Sequence, residues 1–133
     1  MFKYETMIKI YDVDAAGVLF FANQFRLVYD AYEAFLNEIG FSVQKIINES
    51  SFLLPVVSAK TDYKAPLYVG NLIIINIDVK DIGDSSITLS HQIYKDSKIL
   101  VGEGETVHVS IDKTTGKKIK FPQDLIEAID KKL

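Results

Sequence analysis

One helical segment narrows the folds that are open to this chain. From Phe25 to Ile39, apolar residues recur at a spacing of three and four, and leucine and alanine residues between them widen the apolar face. The polar residues of the segment form one narrow stripe: Arg26, Asp30, Glu33 and Asn37. A helix this apolar must be enclosed by other structure, so the rest of the chain is expected to pack around it. Asn23 is the predicted N-cap, and Gly40 lies where a glycine commonly ends a helix.

Most of the remaining sequence has the pattern of strands. Residues 3–11 alternate in polarity and predict a first strand, and Ser42 is predicted to cap a short second helix. The Leu72–Ile75 run is almost wholly apolar and β-branched, which is typical of a central or interface strand. Four further strands are predicted at 52–65, 69–81, 86–95 and 98–111, and a C-terminal amphipathic helix is predicted at 123–132.

The order of these elements predicts the fold class. Asp96-Ser97 has the composition of a two-residue hairpin loop, and Gly102 and Gly104 suggest a bulge or a close approach of neighbouring backbone. Runs of consecutive strands favour an antiparallel sheet. We therefore predict an α+β fold with an antiparallel five-stranded sheet wrapped around the long helix, in a single domain over residues 1–133.

Composition excludes several functions. The 133-residue chain is 48% hydrophobic, which is enough for a real core, and its net charge of −3 argues against non-specific nucleic-acid binding. The absence of cysteine excludes disulfides, thiolate nucleophiles and cysteine-ligated zinc. The N-terminus has no apolar leader, and the longest apolar run, residues 15–22, is too short to span a bilayer. A cytoplasmic protein is therefore expected.

The residues between the first strand and the long helix concentrate the polar chemistry. Two carboxylates, Asp12 and Asp14, are followed by a turn of small residues that ends at Gly17 and by the aromatic residues Phe20 and Phe21. Taken alone, two such aspartates often bond only the backbone of their own turn. Followed by a glycine, an aromatic pair and a capped apolar helix, they favour a functional site.

This stretch resembles the 4-hydroxybenzoyl-CoA thioesterase family of hotdog-fold proteins. In that family an acidic D-x-D-x-x-G segment and an aromatic pair precede an asparagine that opens the central helix. A second match comprises Leu54-Pro55-Val56-Val57, Asp62-Tyr63, Ala65-Pro66 and Gly70. The helix start, together with Ala31-Tyr32-Glu33, resembles the subgroup that hydrolyses 1,4-dihydroxy-2-naphthoyl-CoA in menaquinone or phylloquinone synthesis. There Gln24 stands where the family more often has tyrosine.

The resemblance implies a hotdog fold and an acyl-CoA thioesterase that needs no cofactor and no metal. Asp14 would be the catalytic carboxylate, either as a nucleophile that forms a mixed anhydride or as a general base for water, and both roles stay open. The developing oxyanion would be held by backbone amides at the helix start, those of Gln24 and Asn23. Asp12 would support the turn.

The resemblance also implies contacts with the substrate. Gly17 would let the backbone approach the substrate closely, and Phe20 and Phe21 would wall an aromatic acyl group. The phosphates of CoA need basic or amide donors, although any single lysine is more often simply solvated. Four lysines are candidates for this role: Lys60, Lys64, Lys95 and Lys98.

Acyl-CoA is the expected partner, with no nucleic acid and no membrane span. Family members usually form homodimers with a continuous sheet, often paired into homotetramers, and have active sites at the dimer interface. The alternatives are a short-chain or general acyl-CoA or acyl-carrier-protein thioesterase, a non-catalytic acyl-CoA binding module, or a hotdog dehydratase that would need His91 or His108. A lone strand histidine is more often packed or exposed than catalytic. A related branch uses a helix glutamate, for which Glu33 is the comparable residue.

Overall fold

An antiparallel five-stranded sheet and one long helix form the body of the protein. The computed structural model describes all 133 residues. Its elements in chain order are β1 (Phe2–Met7), α1 (Asn23–Glu38), α2 (Val43–Glu49), β2 (Phe52–Leu53), β3 (Val56–Tyr63), β4 (Leu72–Ile82), β5 (Ser86–Lys95), β6 (Ile99–Val109), β7 (Ile111–Asp112) and α3 (Gln123–Lys132). The strand order in the main sheet is β1-β4-β5-β6-β3, and β2 pairs with β7 in a separate ribbon. No helix is long and apolar enough to cross a membrane.

The core lies between α1 and the inner face of the main sheet. The predicted apolar face of α1 is buried, including Leu27, Ala31 and Phe35, which are at most 2% exposed. Alternate residues of β4 point toward the helix, and Ile73, Ile75 and Ile77 together join the same core cluster. β4 lies between β1 and β5, so the Leu72–Ile75 run forms a central strand, and its buried isoleucines pack in the protomer's own core.

The start of α1 differs from the prediction. Ala22, not Asn23, is the N-cap, and it makes no side-chain cap. Asn23 is the first residue of the helix, and its Nδ2 donates to the carbonyl oxygen of Asp12 at 2.8 Å. The predicted N-cap at Asn23 is therefore wrong, because the Asn23 side chain hydrogen-bonds to a carbonyl of the preceding loop and not to the backbone of its own helix.

Four predicted strands have different bounds, and the one predicted at 69–81 is β4, which runs from Leu72 to Ile82. The first ends at Met7, and a 3-10 turn over Ile10–Asp12 follows it. The segment 52–65 divides at Pro55 into β2 and β3, where proline offers no N–H to a ladder and its carbonyl accepts from Val109 at 3.0 Å. The segment 98–111 divides similarly at Ser110, so β7 can pair with β2.

Several local predictions are confirmed. Ser42 Oγ accepts from the Lys45 amide at 3.1 Å and so caps α2. Gly40 has φ +85° just beyond the end of α1. Asp96 and Ser97 both have positive φ, 54° and 61°, as the central residues of a tight turn, although the connection between β5 and β6 also includes Lys98 and so has three residues, not two. These residues end or turn the elements as their side chains predict.

Two histidines lie on the inner face of the sheet, each 1% exposed: His91 and His108. The ring of His108 stacks on Tyr32 at 4.4 Å between centroids, and its Nε2 lies 3.0 Å from Thr106 Oγ1. The Nε2 of His91 lies 2.9 Å from Thr61 Oγ1. Burial lowers the pKa of both rings from 6.5 to about 4, although the Glu105 carboxylate opposes this shift at His91.

Burial of neutral histidines predicts a loss of stability in acid. In the unfolded chain both histidines take up a proton near pH 6.5, whereas in the folded protein they do so only near pH 4. The free energy of unfolding should therefore fall as the pH drops from about 6.5 to about 4, by up to about 3 kcal/mol per histidine. Urea unfolding of the parent and of His108→Gln across this range would measure it. The variant should show a smaller fall, and equal falls in both proteins would contradict the assignment.

Candidate active site

Asp14 lies in a tight loop with one side-chain oxygen anchored. Its Oδ1 accepts from the amides of Ala16 at 2.8 Å and Val18 at 3.3 Å. Gly17 closes the turn with φ +79°, and its amide donates to the Asp14 carbonyl at 3.0 Å. No protein donor reaches Oδ2, and the residue is exposed. The carboxylate is thus fixed in orientation by one oxygen, while the other oxygen is free to meet a ligand.

Asp12 has the supporting role that the sequence suggested. The residue is 1% exposed, and its two side-chain oxygens bind the Lys9 amide at 2.8 Å and the Arg26 guanidinium. Its carbonyl oxygen accepts from Asn23 Nδ2 and from the Phe20 amide. Arg26 and Asn23 both belong to the first turn of α1. Asp12 therefore ties the Asp14 loop to the start of the helix.

The helix start presents backbone amides of unequal availability. The amide of Asn23 donates to the Phe20 carbonyl at 2.8 Å, so the preceding turn already occupies it. The amide of Gln24 reaches the Phe21 carbonyl only at 3.3 Å, and that of Phe25 has no backbone acceptor. First-turn amides carry partial positive charge, so the donors best placed for an anion are those of Gln24 and Phe25. Phe25 was not predicted, although the first-turn rule itself points to it.

A groove of about 410 Å³ lies beside the Asp14 loop. The loop, the start of α1 and the chain that leaves β3 provide its walls. Its lining residues are Val18, Leu19, Phe21, Gln24, Tyr63, Lys64, Ala65, Pro66 and Leu67. Leu19 donates its amide to the Leu67 carbonyl at 2.8 Å, and Tyr63 donates its hydroxyl to the Phe21 carbonyl at 2.9 Å, so the two walls are bonded to each other. Tyr63 belongs to the second sequence match but was not predicted as a site residue.

The predicted substrate contacts are only partly brought together. Phe21 and Lys64 line the groove, whereas Phe20 packs on Phe21 with a centroid distance of 4.9 Å and does not line it. Lys60 lies in a different, wholly polar depression beside Glu103 and Glu105.

Lys64 is half exposed, and its Nζ lies 3.7 Å from Glu103 Oε1. Of the four candidate lysines, Lys64 alone lines the groove, so it is the one placed to meet an anionic group there.

The rival site residues lie elsewhere. Glu33 is exposed on α1 and does not line the groove, and His91 and His108 are enclosed in the core. A separate crevice of about 280 Å³ opens between α1, α2 and the β2–β7 ribbon, with Tyr29 and Tyr32 among its mostly apolar lining. It contains no carboxylate and no histidine. The groove beside the Asp14 loop is therefore the one that lies next to both the exposed carboxylate and the first turn of α1.

Residues 8–129 match the thioesterase-like superfamily. The chain belongs to this superfamily. Its α+β hotdog fold, predicted from the resemblance, is confirmed by the antiparallel five-stranded sheet with α1 packed on it and by the solved structures it matches.

Individual thioesterases are similar over nearly the whole length. A 1,4-dihydroxy-2-naphthoyl-CoA hydrolase of Microcystis aeruginosa is 33% identical over 92% of this chain and 88% of its own. The crystal structure of a 1,4-dihydroxy-2-naphthoyl-CoA thioesterase from Synechocystis has a TM-score of 0.90 at 30% identity and covers 97% of this chain and 95% of its own. A gentisyl-coenzyme A thioesterase has a TM-score of 0.84 at 26% identity and covers 93% of this chain and 98% of its own.

Proposed function

We propose that this protein is an acyl-CoA thioesterase that hydrolyses an aromatic acyl-CoA to the free acid and CoA. The leading substrate is 1,4-dihydroxy-2-naphthoyl-CoA of menaquinone or phylloquinone synthesis, in the cytoplasm where CoA esters are made. One observation carries the proposal. The Asp14 carboxylate is exposed and anchored through Oδ1 alone, on a loop whose residues Val18 and Leu19 line an open groove together with Gln24 of the helix start.

The geometry supports either of two routes for the reaction. In one, Asp14 Oδ2 attacks the thioester carbon, the C–S bond breaks, CoA leaves as the thiolate, and water then hydrolyses the mixed anhydride. In the other, Asp14 takes a proton from a water molecule that attacks the same carbon, and the C–S bond then breaks to release the free acid and CoA. Both routes place negative charge on the carbonyl oxygen, which the amides of Gln24 and Phe25 would stabilise. Loss of one such donor typically costs roughly two to three orders of magnitude in rate.

The preference for an aromatic acyl group rests on the relatives and on the groove walls. Dihydroxynaphthoyl and gentisyl groups, which name the substrates of similar thioesterases, are both hydroxylated aromatic acyl groups. Phe21, with Phe20 behind it, gives the groove an aromatic wall, and Leu19 and Pro66 add apolar surface. Lys64 would meet a phosphate of CoA at the rim.

We further propose that the enzyme is a homodimer, with two dimers forming the larger assembly. β3 is an edge strand of the main sheet, and seven of its eight residues are exposed. A long open edge of this kind is a template for pairing with another chain. Tyr63 ends this strand and also lines the groove, so a second copy paired along β3 would border the site.

Light scattering tests the assembly. A parent mass of at least twice 15.0 kDa is expected, and Val57→Lys should reduce it to that of the protomer, because Val57 is 57% exposed on the edge strand. Ile47→Lys, at a similarly exposed position on α2, is the matched control and should keep the pairing. A monomeric parent, or an unchanged mass for Val57→Lys, would contradict pairing along β3.

The function is tested by Asp14→Asn, which keeps the size of the side chain and removes its charge. Turnover of 1,4-dihydroxy-2-naphthoyl-CoA should fall by about two to four orders of magnitude, because an amide is neither a nucleophile nor a base. The assay compares aromatic with linear acyl-CoA esters and follows release of the CoA thiol. Glu33→Gln, which neutralises the residue comparable to the helix glutamate of the related branch, is the control and should keep turnover.

Each contrary result has a distinct meaning. Faster hydrolysis of linear esters would replace the aromatic assignment with a general acyl-CoA thioesterase. Binding of CoA without any turnover in the parent would make the protein an acyl-CoA binding module. An Asp14→Asn variant as fast as the parent would remove Asp14 from the mechanism.

A further inference from the structure

Gln24 joins the first turn of α1 to the edge strand through its side chain. The residue is 2% exposed, and its Nε2 donates one hydrogen to Thr61 Oγ1 at 2.7 Å and the other to the Asp62 carbonyl at 3.1 Å. Both hydrogens of a buried amide nitrogen are thereby satisfied, which removes the cost of burying it. The two contacts connect the helix start to the strand that ends at the opposite wall of the groove.

The contacts continue from Thr61 into the sheet. Thr61 Oγ1 accepts from Gln24 and lies 2.9 Å from His91 Nε2 and 3.3 Å from the Glu103 carbonyl. Because burial lowers the pKa of His91 to about 4, the ring is neutral at neutral pH. The single hydroxyl hydrogen of Thr61 goes either to the Glu103 carbonyl or to His91 Nε2, according to the tautomer of the ring. Gln24, Thr61 and His91 therefore form a continuous polar chain from the helix into the sheet.

Strand β6 leaves space for this chain at two glycines. A Cβ at Gly102 would lie 2.6 Å from Gln24 Nε2, and one at Gly104 would lie 2.9 Å from His91 Cε1. At Gly104 the same Cβ would also lie 2.0 Å from the Lys60 carbonyl oxygen, so any side chain there would push β3 away. The close approach of neighbouring groups predicted at Gly102 and Gly104 is therefore present, and the missing side chains leave room for Gln24 and His91.

We propose that the Gln24 side chain is a positioning residue that sets the distance between the amides of the helix start and the opposite wall of the groove. This inference rests on the proposed function. Asp12 fixes the Asp14 loop to α1, and Gln24 fixes α1 to β3, so the two links together hold carboxylate, amide donors and groove wall in one frame. Misplacement of reacting groups by about 1 Å can cost about a hundredfold in rate.

A purely structural role is the rival explanation, and the protein contains a matched control for it. Thr106 Oγ1 lies 3.0 Å from His108 Nε2, so a second buried threonine–histidine pair has the same chemistry on the same sheet. This pair makes no hydrogen bond to the helix start. Its loss should lower stability without changing the geometry of the groove.

The experiment compares steady-state kinetics of Gln24→Met, Thr61→Val, Thr61→Ser and Thr106→Val in the full chain with 1,4-dihydroxy-2-naphthoyl-CoA. Gln24→Met keeps the length of the side chain and removes its donors. We expect kcat to fall about 10- to 100-fold in Gln24→Met and Thr61→Val, with KM within about threefold of the parent. Thr61→Ser restores the hydroxyl and should recover kcat, and Thr106→Val should retain it. Amide hydrogen exchange at residues 23–26 should be faster in Gln24→Met than in the parent. In Thr106→Val it should stay at the rate of the parent.

The outcomes separate this inference from the proposed function. A parent that hydrolyses no thioester overturns both. An active parent with unchanged kcat in Gln24→Met and Thr61→Val overturns the positioning role only. A matching loss of kcat in Thr106→Val, or a failure of Thr61→Ser to recover kcat, also overturns it, since general destabilisation would then explain the losses. If Gln24→Met does not fold, Thr61→Val and Thr61→Ser decide the outcome.

Discussion

Burial of the wide apolar face of α1 against the sheet is the interaction on which the rest of the structure depends. Leu27, Ala31 and Phe35 meet the isoleucines of β4 in one core, so the axis of the helix is fixed over the sheet. Tertiary packing of this kind supplies most of the stability of a helix in a protein. Once the axis is fixed, the first turn of α1 lies beside the Asp14 loop and the chain that leaves β3. The groove forms between these segments.

Polar contacts at the start of α1 then hold the preceding loop against the helix, where the candidate site lies. The buried Asp12 carboxylate binds Arg26, and its carbonyl binds Asn23, so loop and helix cannot separate without exposing unpaired polar groups. Asp14 lies two residues further along the chain, and only one of its side-chain oxygens accepts hydrogen bonds from its own turn. The two aspartates therefore differ in their surroundings: Asp12 is enclosed with both side-chain oxygens hydrogen-bonded, whereas Asp14 is exposed and keeps one oxygen without a protein donor.

The fold was largely predictable because its signals are local. The limits of β5 and α3, the glycine after α1, the Ser42 cap and the Asp96-Ser97 turn all follow from side-chain chemistry within a few residues. The errors arose where partners are distant in sequence. Asn23 binds a carbonyl eleven residues away, so a cap rule cannot foresee it.

The site was predictable only in part, for the same reason. Asp14 and the helix-start amides of the candidate site belong to one continuous stretch, so a single motif predicts them together. Lys60 and Lys64 look equivalent in the sequence, but β3 ends at Tyr63, and Lys64 just beyond it lines the groove, whereas Lys60 lies within β3 in the polar depression. The partners of the Gln24 side chain lie 37 and 38 residues away, and no pattern within the helix indicates them.

The most direct test of the account is a crystal structure of Asp14→Asn with 1,4-dihydroxy-2-naphthoyl-CoA bound. The thioester carbonyl oxygen should lie about 3 Å from the amide nitrogen of Gln24 or Phe25, with its carbon facing the side chain at position 14. The acyl ring should lie against Phe21. A thioester bound in the crevice between α1 and α2, or anywhere out of reach of position 14, would contradict the account.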